Sequence, residues 1–308
     1  PARIFAGSRI TSITIPTSVT RISQSAFYNC TQLTSVVFSE GNGGDLTISD
    51  RAFHNCTALT SITLPARLAT LGEDDTSTAA DEGVTGVFTG CTQLTHIYTE
   101  NNVATASGHN SADGLIWKVV SNLNTLVYCP LGRVSTQTNR LAIPNGIVAI
   151  GESAFEGSSR VSYISIPSSV QVIGDRAFAS SSLNTIVFEG GAAVNQTIGN
   201  EAFMECDALG SVQFAADCRV TTIGEGAFSY CTGLRDLTLP ASLVSVEANA
   251  FAECTNLKSL TLQGSNAQAQ ELSIASSAFA NCANLTEIAL SANVGVFDFV
   301  SVFEGCPR

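Results

Sequence analysis

The 308-residue sequence predicts a single α/β-type repeat solenoid, right-handed, with a parallel β-sheet on its concave face. Three observations predict this fold. An Ala-Phe or Val-Phe pair recurs ten times, with a base period of about 23 residues. An apolar pattern typical of a short β-strand follows most of these pairs. Proline or glycine then interrupts the pattern, as expected where a short strand ends and the chain turns.

The phenylalanines define the repeat, and the gaps between them are 23 to 28 residues except for two gaps of 35 and 67. Three residues after eight of them comes a cysteine, and Ser158 and Ser181 take its place in the other two repeats. This three-residue spacing predicts a short helical or 3₁₀ turn. Each unit is too small to bury its own core, so stacked units are expected to bury each other's side chains. The ten phenylalanines are Phe27, Phe53, Phe88, Phe155, Phe178, Phe203, Phe228, Phe251, Phe279 and Phe303.

Each repeat also carries the spacing L-x-x-L-x-L, as in Leu234, Leu237 and Leu239. The last two apolar residues are two apart, which is the period of a strand with one buried face. A second apolar pair follows, such as Val170 and Ile173. We therefore expect one sheet strand per repeat, with turns and short helical segments outside the sheet. Five strand patterns end in proline, at Pro16, Pro65, Pro144, Pro167 and Pro240.

The sequence predicts one domain over residues 1–308, with two irregularities. The gap of 67 residues contains an irregular repeat unit at about 100–144, and the gap of 35 contains an acidic insertion at 72–83. The insertion does not have the spacing of an EF-hand loop, so it is interpreted as a solvated loop. The alternative is that it contacts a partner, because loops on scaffolds often carry function.

Ten cysteines raise the question of a disulfide framework. Eight of them occupy the same repeat position, beside a core phenylalanine, where a free thiol serves as a small buried apolar group. We therefore expect buried free thiols there, although a bridge between neighbouring repeats stays open. Cys129 and Cys218 lie outside this register, and whether they form disulfides is open. The sequence has no C-x-x-C, and neither a metal site nor a cofactor is predicted.

Composition and motifs exclude several functions. The 14 basic residues against 26 acidic ones give a net charge of −12, which does not supply the basic face of a nucleic-acid binder. No run of 18 apolar residues is present, so no membrane span is predicted. The three histidines form no H-E-x-x-H motif and the serines no G-x-S-x-G motif. The protein is therefore predicted not to be an enzyme, with no catalytic or cofactor-binding residue.

A ligand-contact patch is predicted where the outward-facing strand positions change character. Most of these positions hold small hydroxyl or β-branched residues, which lack the aromatic anchors of typical binding hot spots. Around the irregular unit they include His96, Tyr98 and Tyr163, and the unit itself contains Trp117, the sole tryptophan. His96, Tyr98, Trp117 and Tyr163 are the predicted contact residues. The competing interpretation is that Trp117 belongs to the local core.

The repeats resemble a known family. The segments SYISIPSSVQVIGDRAFASSSL (162–183) and SVQFAADCRVTTIGEGAFSYCTGL (211–234) resemble the BspA-like leucine-rich repeats of bacterial surface proteins. Residues 114–155 resemble the irregular unit common in that family, in which a short hairpin-like piece precedes a new Ile-Pro repeat. The resemblance implies a leucine-rich-repeat solenoid that is extracellular or attached to the cell surface.

The resemblance also implies a partner: a host or cell-surface protein, or a glycan. The leading hypothesis is thus a monomeric, adhesin-type binding module, and its acidity should disfavour anionic ligands. The alternatives are a structural stalk or spacer that presents another domain and, less favoured, an enzyme. The chain contains no signal peptide, and because it starts at Pro1 within a repeat we expect it to be an excised or mature fragment.

Overall fold

The structure of the protein is a computed structural model. It describes residues 2–41, 43–72, 83–102, 104–106, 108–112, 114–133, 140–263, 272–290 and 299–307. Residues 73–82 of the predicted acidic loop lie outside the described residues. The chain divides into two compact units, Pro1–Val134 (unit 1) and Ser135–Arg308 (unit 2), and each is described by itself. The single domain over 1–308 stays a prediction.

Unit 1 consists of short strands with little helix. Its helical segments are α1 (Gly83–Phe88) and a 3₁₀ turn at Glu100–Asn102. Its strands are β1 (Ser12–Ile15), β2 (Arg21–Ile22), β3 (Ser35–Phe38), β4 (Leu46–Ile48), β5 (Ser61–Leu64), β6 (Leu68–Leu71), β7 (His96–Thr99), β8 (Asn110–Ala112), β9 (Leu115–Val120) and β10 (Leu123–Tyr128).

The strands of unit 1 form parallel pairs between successive repeats, followed by one antiparallel hairpin. β1 pairs with β3, β5 pairs with β7, and β2, β4 and β6 form a third sheet, all of them parallel. β8, β9 and β10 pair antiparallel in the irregular unit. The turn from β9 to β10 is the two-residue pair Ser121 and Asn122, both with positive φ, as in the type I′ turns common in two-residue hairpin loops. The predicted hairpin-like piece is therefore present.

Unit 2 repeats the parallel arrangement more regularly. One sheet has the order β11-β13-β15-β17, a second the order β19-β21-β23, and β12, β14, β16, β18, β20 and β22 lie in that order in another sheet. One short helix, α2 (Phe299–Val302), lies near the end of the chain. The strands are β11 (Arg140–Ala142), β12 (Ala149–Ile150), β13 (Tyr163–Ile166), β14 (Val172–Ile173), β15 (Thr185–Phe188), β16 (Gln196–Ile198), β17 (Ser211–Phe214), β18 (Val220–Ile223), β19 (Asp236–Leu239), β20 (Ser245–Val246), β21 (Ser259–Leu262), β22 (Ser273–Ile274) and β23 (Glu287–Leu290).

The predicted L-x-x-L-x-L strands are present, and their faces alternate as expected. In β5 and β19 the residues alternate exposed and buried, so the second and fourth side chains enter the core. Successive strands pair in register, which places Ile164, Ile186 and Val212 side by side in the core. Each proline after a strand starts a hydrogen-bonded turn; for example, the Val170 N–H donates to the Pro167 carbonyl at 3.0 Å. The leucine-rich-repeat solenoid architecture is confirmed.

Each repeat has a second strand that contains the last residue of the second apolar pair, and the sequence analysis did not predict this strand. Val172–Ile173, for example, pairs with residues 197–198 of the next repeat. These second strands are only two to four residues long. In Val172–Ile173 only the side chain of Ile173 is buried. Such a strand is too short to show a clear alternation, so its apolar pair was open to interpretation as part of a turn.

The segment around most repeat phenylalanines is a turn, whereas Phe88 is the last residue of α1, and successive segments are hydrogen bonded to each other. We call the five residues from two before to two after the phenylalanine the Phe turn, for example 226–230. The Phe228 N–H donates to the Ala250 carbonyl of the next repeat at 2.7 Å, and the Tyr230 N–H donates to Ala252 at 2.9 Å. The first and last residues of each Phe turn in unit 2 have φ between 52° and 61° from Glu201 to Asn281, which gives the turn its sharp shape. The predicted short helical or 3₁₀ segment is thus a tight turn at most repeats and the end of a short helix at Phe88.

The phenylalanine rings form the centre of the core. In unit 2, neighbouring rings from Phe155 to Phe303 stack with centroids 4.6–5.4 Å apart. This spacing is close to the ~4.8 Å between adjacent strands, so one rung of the solenoid brings each ring into an offset stack with the next. In unit 1 the stack runs from Phe5 through Phe27, Phe53 and Phe88 to Tyr128. Tyr128, in the irregular unit, thus takes the place of a repeat phenylalanine.

The repeat cysteines are free and mostly buried, as predicted, and each makes a contact that the sequence did not reveal. The thiol of Cys254 donates to the carbonyl of Phe228 in the preceding repeat at 3.3 Å. Burial raises the pKa of the Cys254 thiol to about 12, so it keeps the proton it donates at neutral pH. The same contact recurs at Cys30, Cys56, Cys91, Cys206, Cys231, Cys282 and Cys306. Cys129 and Cys218 are also free and buried.

The stack of phenylalanine rings leads to a prediction about stability. Replacing Phe228 by alanine removes a fully buried ring that stacks on Phe203 and on Phe251, so we expect the free energy of unfolding to fall by about 3–5 kcal/mol. Phe228→Leu keeps more of the volume and should cost clearly less. Urea unfolding followed by circular dichroism measures both changes. A loss below about 1 kcal/mol for Phe228→Ala would show that the stack contributes little.

Candidate recognition surface

The predicted contact residues of unit 1 lie on β7 and on the hairpin beside it. His96 and Tyr98 are two apart on β7, so their side chains point to the same face, opposite the buried Ile97. Their rings stack with centroids 5.5 Å apart and planes 10° from parallel. Tyr98 is 40% exposed, which leaves much of its ring open to solvent. β7 therefore presents a paired aromatic surface.

Arg133 fixes the orientation of the His96 imidazole through a hydrogen bond. Nη1 of Arg133 lies 2.7 Å from Nε2 of His96, and a guanidinium can only donate, so Nε2 must accept. The ring is then neutral with its proton on Nδ1, which donates to Oγ1 of Thr95 at 2.9 Å. Arg133 is itself buried, with only 6% of its surface exposed. Both ring nitrogens of His96 are thus fixed by neighbours, and the ring gives Tyr98 a rigid support.

Gly114 allows the hairpin to approach β7 closely. The Ile97 N–H donates to the Gly114 carbonyl at 3.1 Å, and the Thr99 N–H donates to Oγ of Ser111 at 3.0 Å. A Cβ on Gly114 would lie 2.5 Å from Cδ2 of His96, well inside van der Waals contact. The hairpin that carries Trp117 therefore packs directly beside the strand that carries His96.

The positions of the other two predicted contact residues, Trp117 and Tyr163, do not decide whether they belong to the same surface. Trp117 lies on β9, opposite Asn110 of β8 and Leu126 of β10, and its side chain is half-buried. Among the described residues its ring has no aromatic stacking partner. Neither the contact interpretation nor the core interpretation of Trp117 is decided by this position. Tyr163 begins β13 in unit 2 and is half-buried, paired in register with Thr185, so its part in a common patch stays a prediction.

Sequence reasoning did not identify the residues that support the pair on β7. Arg133 lies 37 residues from His96 along the chain, outside any repeat position. Gly114 precedes the apolar run of β9 and is one of 25 glycines, so its close approach to His96 carried no separate signal. The described part of the chain contains no group of three or more His, Cys, Asp or Glu side chains that could hold a metal ion.

Comparison of Gly114 with Gly108 separates the effect of the close contact with His96 from the effect of backbone conformation. Gly114 and Gly108 both have φ of +76°, but a Cβ on Gly108 would meet nothing within 4 Å. Alanine at either position is strained by the backbone, and only Gly114→Ala also displaces His96. We expect Gly114→Ala to destabilise the protein by at least about 1 kcal/mol more than Gly108→Ala and to shift the His96 ring resonances in NMR spectra. Equal losses and unchanged His96 resonances would contradict this packing.

Solved structures of similar fold come from bacterial proteins. They include a leucine rich cell surface protein from Faecalibacterium prausnitzii (24% identity, TM-score 0.52, 92% of this chain and 60% of that chain). The pneumococcal vaccine antigen PcpA is 22% identical, with a TM-score of 0.56 over 96% of this chain and 60% of that chain. A leucine-rich repeat protein from Eubacterium ventriosum is 19% identical, with a TM-score of 0.60 over 96% and 77%. These likenesses establish the fold, and the chain spans about 60% of the first two proteins.

The sequence itself matches a family description over most of its length. No curated protein matches the chain. The description "BspA type Leucine rich repeat region" matches in six copies, over residues 1–110, 134–219 and 196–308. These ranges cover the repeats of both units and omit the hairpin of the irregular unit. The chain belongs to the BspA-type leucine-rich repeat family.

Proposed function

We propose that this protein is an adhesin-type binding module of the cell surface, which recognises a protein or a glycan of a host or of another cell. The observation that carries the proposal is the exposed Tyr98 ring, stacked on His96, whose imidazole is held by a hydrogen bond from Arg133. Aromatic side chains fixed before binding lose little conformational entropy on contact with a ligand, and they are enriched in binding hot spots. Trp117 extends the surface on the neighbouring hairpin, and Tyr163 is a separate candidate contact in unit 2.

The family and the similar structures support the coarser part of this proposal. Leucine-rich repeats are scaffolds that stack short units and expose strand and turn positions free to vary. Two of the similar structures are described as a cell surface protein and as a vaccine antigen, which is consistent with an exposed location. None of the helices in the described residues is long and apolar enough to cross a membrane.

A structural stalk or spacer is the second candidate. The strand faces outside β7 favour it, because β1, β5 and β19 expose mainly short polar side chains such as Ser12, Thr63 and Thr238. Such a face offers few anchors for a tight complex. A spacer would bind nothing through these faces and would act by length alone. Binding measurements therefore distinguish the two candidates, whereas an enzymatic role would need a site of converging polar groups, which the sequence does not indicate.

The test is binding to arrays of glycans and of extracellular-matrix proteins, with single tyrosine variants. We expect saturable binding that Tyr98→Ala weakens about tenfold or more, as for a hot-spot residue. Tyr163→Ala is measured separately and reports on unit 2. Tyr28→Ala is the matched control, since Tyr28 also stacks on a histidine, His54, with ring centroids 5.0 Å apart, but lies on a Phe turn of unit 1. Since Tyr98 is exposed, its replacement should change stability little.

The outcomes divide clearly. Loss of binding with Tyr98→Ala and retention with Tyr28→Ala support the proposed surface on β7. Loss with Tyr163→Ala alone assigns binding to unit 2. Binding that all three variants retain moves the ligand to other surfaces and contradicts the role of the aromatic residues. No binding to any array member favours the spacer.

A further inference from the structure

A groove runs along the Phe turns of unit 2, on a surface that the proposed function does not use. Its volume is about 510 Å³ and it is open to solvent. It spans the turns from Phe203 to Phe303, because its lining residues come from five successive repeats. Its two end residues, Met204 and Glu304, each follow a repeat phenylalanine and are four repeats apart. At ~4.8 Å per repeat the groove is therefore about 19 Å long.

Small side chains create the groove. The position after the phenylalanine holds Met204 and Glu304 at the ends, but Ser229, Ala252 and Ala280 in between. These three residues are 6–8% exposed and form the floor. In unit 1 the same position is filled by Tyr28 and His54, whose rings stack 5.0 Å apart, so there the turns carry bulky side chains instead of a trough.

The groove is negatively charged. Four of the thirteen described residues that line it are glutamates and none is basic: Glu201, Glu225, Glu253 and Glu304. Glu201 accepts from Arg176 at 2.6 Å, and Glu253 accepts from the Asn281 amide at 2.7 Å. Among the described residues, the carboxylates of Glu225 and Glu304 have no hydrogen-bond or ion-pair partner. Two acceptors are therefore available to a cationic ligand.

An aromatic ring stands among these carboxylates. Tyr230 lines the groove with 46% of its surface exposed, and its φ is 61°. The same place in other Phe turns is held by residues such as Asn29, Asn55 and Asn281, which adopt this conformation more readily. An exposed ring beside carboxylates is the combination that binds guanidinium and ammonium groups, through cation–π contact and ion pairing together.

We propose that this groove is a docking site for an extended, Arg- or Lys-rich segment of a partner protein. Charge complementarity assigns the occupant, because the wall carries only negative formal charge and lies on a unit with more acidic than basic residues. An extended chain rises ~3.3 Å per residue, so about six residues fill the groove. Alternating side chains of such a segment face the floor, and cationic ones at these positions meet Glu225, Tyr230 and Glu304. The site is independent of the β7 surface.

The test uses a fluorescent peptide of about six residues in which arginine alternates with threonine, and a control peptide in which citrulline replaces arginine. Fluorescence anisotropy with the full chain measures binding. We expect the arginine peptide to bind and the citrulline peptide not to bind at low salt. Raising the ionic strength from about 0.05 M to about 0.5 M should weaken the complex, because exposed charges are screened.

Variants locate the binding site. Glu225→Gln/Glu304→Gln should weaken binding at least about fivefold, as expected for two exposed ion pairs. The control Glu152→Gln/Asp217→Asn removes the same charge from exposed carboxylates outside the groove and should leave binding unchanged. Ala252→Tyr blocks the groove with a large side chain and leaves the charge unchanged. The variant should fold, because Tyr28 occupies the same position in its own Phe turn.

Each result supports or overturns the proposal. It is supported if the groove pair and Ala252→Tyr weaken binding while the control pair does not. Equal loss in both charge pairs would show attraction by net charge alone and overturn it, as would absence of peptide binding. Self-association of the chain that is lost in the groove variants, measured by analytical ultracentrifugation, would assign the groove to a second copy and overturn the partner assignment.

Discussion

A repeat of about 23 residues cannot bury its own core, and this constraint governs the structure. Every apolar side chain must be covered by the side chain at the same position in the next repeat. The phenylalanine stack meets this requirement because the rings of unit 2 stack at 4.6–5.4 Å, close to the distance between adjacent strands. The turn backbone follows the same rhythm through bonds such as Phe228 N–H to the Ala250 carbonyl. The core, the turns and the strands therefore all repeat with the same spacing from one repeat to the next.

The same constraint separates stability from recognition. Buried positions are repeated because each must match its neighbour, whereas exposed positions contact solvent and are free to differ. Both proposed binding surfaces arise at positions on the protein surface whose residues differ between repeats. On β7 two aromatic residues replace small polar ones, and on the Phe turns of unit 2 small residues replace bulky ones. We therefore propose that recognition uses these positions.

Much of the fold could be predicted from the sequence because its signal is repeated. The phenylalanines, the cysteine position and the L-x-x-L-x-L strands recur in nearly every unit, so errors at one repeat do not affect the inference. The second strands were missed because two apolar residues cannot show a period. The place of Tyr128 in the stack was missed because the irregular unit has no phenylalanine in register.

The candidate surface could be predicted only in part. His96 and Tyr98 were found together because they are two apart on a strand, and their contact follows from strand geometry. The support from Arg133 depends on a contact across 37 residues, which no local pattern encodes. The groove of unit 2 depends on side-chain size across five turns. The residues that line it could be read from the sequence, but the space between their side chains exists only when the turns are folded.

Hydrogen exchange of the unsubstituted protein tests the central claim most directly. If stacking of the Phe turns holds unit 2 together, the amides of Phe203, Phe228 and Phe251, which donate between turns at 2.7 Å, are among the slowest to exchange. They should open only with global unfolding and show the same free energy as one another. Rapid, independent exchange at these amides, with protection kept in β13, β15 and β17, would contradict this account. It would show that the sheet stabilises unit 2 and that the stacked Phe turns do not.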